Sequence, residues 1–116
     1  MSEHDLRVLD QLTEEVGAEV LNRLLRTFFG EASVRIADFS RLSTSNGDAS
    51  EMHRTVHSLK SAAGSFGATK LAALAAELEQ DIEDGVYRHD PAAIAQLGAH
   101  FEAFKAAVAA RGISVD

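Results

Sequence analysis

No cysteine occurs in the 116 residues, so the chain offers neither a disulfide framework nor a thiolate metal site. That absence suits a reducing compartment, and a cytoplasmic location is the expectation. No stretch approaches the ~20 apolar residues of a membrane span, and the opening "MSEHDLRVLD" is charged where a secretory leader would be apolar. A soluble protein without membrane association follows. Positive charge is also in deficit: the formal net charge of −7 argues against nucleic-acid binding, which draws its affinity from Lys and Arg on phosphates. The strict apolar/polar alternation of half-buried strands is missing as well. "GSFG" is neither a P-loop with its lysine nor a kinase glycine loop, so no ATP site and no autokinase activity are expected.

What remains is helical periodicity in a chain that is 46% hydrophobic, long enough for one core and one domain over residues 1–116. A short first helix is expected from Glu3 to Leu12, with "TEEVG" as a break. A long second helix should run from Ala18 to Leu42 on a face of Leu21, Leu25, Phe28, Ala32, Phe39 and Leu42, widened by Leu24, Phe29 and Ile36, with Gly30 as a candidate bend. Asp48 and Glu51 resemble a capping box before a third helix, whose seam is Met52, Val56, Leu59, Ala63 and Phe66 and whose stop is Gly67. The fourth helix spans Thr69 to Gly85 on Leu71, Leu74, Leu78 and Ile82. Asp90-Pro91 opens a fifth, which buries Ile94, Leu97, Phe101, Phe104 and Val108 and ends at Gly112. The fold expected is all-α: an antiparallel up-and-down four-helix bundle, capped at one end by the short N-terminal helix.

The segment "HRTVHSLKSAAGSFGA" carries the chemistry. His53, His57, Lys60, Ser61 and Gly64 follow each other at helical spacing and form an outward stripe, about 100° from the buried seam. An imidazole that accepts a phosphoryl group needs a bare ring nitrogen, a cation for the incoming oxygens, and small neighbours that admit a partner. His57, with Lys60 one turn on and Ser61, Ala62 and Gly64 beside it, meets those needs. Other readings stand beside this one. Solvated histidines on a helix flank are common, and the chain could be a non-catalytic helical interaction module. A metal site on the His53/His57 pair lacks both a zinc-protease glutamate and a Glu-x-x-His partner. A Ser/His hydrolase lacks an acid and an oxyanion arrangement. His4, His89 and His100 lie outside the motif.

"HSLKSAAGSFGATKLAALAAELE" resembles the histidine-containing phosphotransfer (HPt) domain, whose motif combines His, Lys three residues later and small residues, followed by a further helix. The likeness extends upstream to the long phenylalanine-bearing helix and the "NGD" turn. It implies a four-helix bundle in which His57 is the phosphoacceptor and Lys60 steadies the phosphate, with Gly64 and Gly67 at the small positions. His53, Ser61 and Gly64 would lie on the receiver-docking face. Ser61 departs from the family, which usually has glycine there. A glutamate or glutamine twenty-two residues after the histidine often sits by its ring; here that is Glu79, with Gln80 as the fallback. The resemblance implies a phosphohistidine intermediate of a two-component phosphorelay: a monomer that meets response-regulator receiver domains and a hybrid sensor histidine kinase. It would carry no cofactor of its own, the Mg²⁺ residing on the receiver.

Overall fold

The computed structural model describes residues 4–45, 47–113 and 115, and among these the only regular secondary structure is helix. The five helices are α1 (Arg7–Val16), α2 (Ala18–Thr44), α3 (Ala49–Ser65), α4 (Thr69–Glu83) and α5 (Pro91–Ala110). Helices α2 to α5 pack as a ring, each on its chain neighbour, with α5 closing back onto α2. This is the all-α bundle expected from the periodicity. At a rise of about 1.5 Å per residue, the 27-residue α2 spans roughly 40 Å, which accounts for the 42 Å long dimension of the molecule.

The expected apolar faces converge on one core. Leu21, Leu25, Phe28, Ala32, Phe39 and Leu42 of α2 meet Met52, Val56, Leu59 and Ala63 of α3, Leu71, Ala75 and Leu78 of α4, and Leu97, Phe101, Phe104 and Val108 of α5. Phe28 stacks on Phe66 at 5.0 Å and meets Phe101 and Phe104 edge-on, which fills the end of the bundle nearest α1. At the opposite end Phe39 packs against Tyr87. Leu24, expected to widen the buried face of α2, is exposed, because α1 and the other helices cover only one side of that turn. Gly30 does not interrupt α2.

The helix ends follow local chemistry. Asp48 and Asp90 each accept a hydrogen bond at the helix start, from the N–H of Ser50 and of Ala92, and Pro91 occupies the first turn, where its missing N–H costs nothing. Helix α3 stops in a Schellman arrangement: Ala68 N–H bonds the Ala63 carbonyl, Gly67 N–H bonds that of Gly64, and Gly67 adopts φ +80°. The first helix departs most from expectation. It starts four residues late, because Asp5 is instead held by its N–H to the Gly67 carbonyl at 2.9 Å. It then continues through "TEEV" until Gly17, at φ +86°, turns the chain into α2. Glu3, the expected first residue, lies outside the described residues. Asp10 of α1 pairs with Arg111 beyond α5, so α1 does cap that end of the bundle.

Candidate functional site

Helix α3 buries Met52, Val56, Leu59 and Ala63 at steps of four, three and four, and that choice of seam fixes where its other residues lie. His53, His57 and Lys60 fall on the flank that faces α4, while Ser61 and Gly64 are exposed. Antiparallel α4 buries Leu71, Ala75 and Leu78, and with them Glu79, which is only 6% exposed. A carboxylate removed from water in this way is costly unless each oxygen is paired. Both are. Oε2 accepts from Nδ1 of His57 at 2.5 Å, and Oε1 accepts from the Lys60 ammonium.

The electrostatics follow from those bonds. The Lys60 ammonium, seconded by the His57 N–H, holds the Glu79 carboxyl below the usual glutamate range, against the opposing effect of burial. An ionised carboxylate only accepts, so the hydrogen between it and His57 sits on Nδ1. The neutral ring then carries its lone pair on Nε2. With 55% of its side chain accessible, the ring is open to a second protein. Lys60 has three donors and spends one on Glu79, which leaves two for an anion delivered to the imidazole one turn away.

His53 joins the same group. Its ring is parallel to that of His57, the planes 7° apart and the centroids 6.1 Å apart, and its Nε2 lies 3.6 Å from Glu79 Oε2 and 3.4 Å from Glu83 Oε1. Gly64 is open, with nothing within 4 Å of where a Cβ would stand. Gly67 is different from the expectation: it is buried rather than part of an open surface, and a Cβ there would meet the Asp5 carbonyl oxygen at 2.2 Å. Gln80, the fallback neighbour of His57, is exposed and donates to Asp84 instead.

Two features of the structure lie outside the expectations drawn from the sequence. Glu83 is discernible in principle: on antiparallel helices, one turn back from His57 on α3 pairs with one turn forward from Glu79 on α4. The second is a cluster at the far end of the bundle, where buried Ser43 bonds Tyr87 Oη at 2.6 Å and His89 Nδ1 at 2.7 Å, tying the α4–α5 connection to α2. No helix among the described residues is long and apolar enough to cross a membrane, and no group of three or more His, Cys, Asp or Glu side chains there is arranged to hold a metal ion.

A protein-family model described as Hpt domain matches residues 23–107, from within α2 almost to the end of α5. The chain belongs to the Hpt domain family. No curated protein and no solved structure matches it. The Hpt match contains the whole α3–α4 pair, hence His53, His57, Lys60, Glu79 and Glu83, and leaves out α1. As an Hpt domain the chain is a histidine phosphotransfer module.

Proposed function

We propose that this Hpt domain relays phosphoryl groups between receiver domains, with His57 as the phosphoacceptor. The observation that carries the reading is the bond from His57 Nδ1 to buried Glu79, because it leaves Nε2 as the nucleophilic nitrogen of a half-exposed ring. In the forward step, the Nε2 lone pair attacks the phosphorus of an aspartyl phosphate on the receiver, and the P–O bond to the aspartyl carboxylate breaks. The aspartate leaves with that electron pair. The ring keeps its Nδ1 proton and gains positive charge, which the Glu79 carboxylate offsets.

Lys60 supplies a point charge to the phosphoryl oxygens. Phosphoryl transfer depends mainly on positioning and charge stabilisation, so one imidazole and one ammonium suffice on this side when the receiver contributes Mg²⁺ and an acidic pocket. The reverse step returns the group to a second receiver. Gly64 and Ser61 leave the stripe beside His57 low enough for a receiver to approach, and the partners implied are response-regulator receivers and the receiver of a hybrid sensor kinase. The test is to mix the chain with a phosphorylated receiver. Acid-labile, alkali-stable phosphate should appear on the wild type and be lost in His57→Gln; label retained in that variant would refute the assignment.

A further inference from the structure

His53 has the less obvious part in this constellation. Glu79 and Glu83 stand one turn apart on α4, a spacing at which like charges repel. Repulsion of that kind would swing the Glu79 carboxylate away from Glu83 and so alter the direction in which Oε2 meets His57. Nε2 of His53 lies between the two carboxylates, 3.6 Å from Oε2 of Glu79 and 3.4 Å from Oε1 of Glu83. A lone pair aimed at two anions would be repelled, so the hydrogen of the neutral His53 ring belongs on Nε2, and the imidazolium presents the same N–H. In either form the positive end of the ring faces both carboxylates. The two parallel rings therefore carry opposite tautomers, Nε2–H at His53 and Nδ1–H at His57, each dictated by the same Glu79 oxygen.

We propose that His53 is a positioning residue for the phosphoacceptor: lodged between Glu79 and Glu83, it holds the Glu79 carboxylate in the orientation that keeps His57 as the Nδ1–H tautomer. The inference rests on the phosphotransfer reading for its consequence, but its structural part is measured without any phosphoryl group. His53 itself does not receive phosphate, because its Nε2 is directed at carboxylates that repel an anion. The arrangement is specific to the α3–α4 seam: Lys60 anchors Oε1 from one side, and His53 steadies Oε2 from the other.

The experiment uses the full chain with ¹⁵N-labelled histidine, recorded at about pH 8, above the free-histidine value. Wild type should show His57 predominantly as Nδ1–H. His53→Ala should shift a measurable share of His57 to the Nε2–H form and slow phosphoryl uptake from a receiver several-fold, with the melting temperature little changed. His53→Gln, whose amide N–H can reach the same carboxylates, should recover part of both. His53→Leu, which fills the same space without an N–H, provides a second handle should His53→Ala fail to fold, and it should shift the His57 tautomer in the same way. An unchanged His57 tautomer in His53→Ala, or in His53→Leu where the alanine variant does not fold, would overturn the proposal, even if uptake slowed, since a slower rate alone would mark His53 as a docking contact. Wild-type protein with the expected tautomers but no phosphoryl uptake would instead count against the phosphotransfer reading.

Discussion

Nδ1 of His57 lies 2.5 Å from Oε2 of Glu79, a contact made across two helices and twenty-two residues of chain. It joins an open ring to a buried charge, and most of what the site can do follows from that pairing. The carboxylate is fixed because it is buried and doubly bonded, and the imidazole is fixed because it bonds to the carboxylate.

Replacing Glu79 by Gln keeps the shape and removes the charge. The amide cannot offset the positive ring that forms as phosphorus bonds to Nε2, and it offers one acceptor oxygen where two were in use. Phosphoryl uptake from a receiver should fall by about 10-fold or more, the usual range for loss of a supporting group behind a reactive imidazole. Initial rates of label transfer at matched concentrations measure it.

The same carboxylate gives stability a pH dependence of known sign. Its folded value lies below its unfolded value, so its contribution is fully present above the unfolded glutamate value of about 4.3 and is lost as pH falls through the lower folded value. The stability difference between wild type and Glu79→Gln should therefore shrink once pH falls below about that point. Urea denaturation across the acid range tests this; a difference that grew below that point would contradict the sign.

Lys60→Ala removes the principal cause of the Glu79 shift. The Glu79 carboxyl should move upward when followed by carboxyl ¹³C NMR, since burial then opposes ionisation with only His57 to counter it. Stability should fall by about 1–3 kcal/mol, the cost of leaving one oxygen of a buried acceptor unpaired.

Three glycines separate structural need from surface need. At Gly67, φ is +80° and the Asp5 carbonyl oxygen lies 2.2 Å from where a Cβ would stand, which leaves no room for a side chain, so Gly67→Ala should cost about 2 kcal/mol or more. At Gly30, inside α2 with nothing within 4 Å, alanine should add about 0.5–1 kcal/mol. Gly64→Ala should be tolerated for folding, and any loss it causes should appear in transfer to the receiver. Thermal melts and transfer rates on the three variants distinguish these outcomes.

Much of this is legible in the residues alone. The seams of α2 to α5 repeat with helical period, and strong local signals mark their ends: Asp48, Asp90-Pro91, Gly67, Gly85 and Gly112. The reach from His57 to Glu79 comes from family resemblance, since no local rule pairs residues that far apart. The start of α1 is not legible, because its position depends on a tertiary bond, Asp5 to Gly67, that periodicity cannot register. Gly67 reads as part of an open surface for a related reason: a small residue fits equally under an approaching partner or under the protein's own N-terminal segment, and only packing separates them. Glu83 and the Ser43, Tyr87 and His89 cluster depend on helix register and on a loop folding back, neither of which shows in a single segment.

The most direct test of the account is to locate the phosphorus. With ¹⁵N-histidine chain phosphorylated by a receiver, ³¹P–¹⁵N coupling should appear at Nε2 of His57, while Nδ1 keeps its hydrogen against Glu79. Phosphorus on Nδ1 of that ring, or on His53 or any other residue, would contradict it.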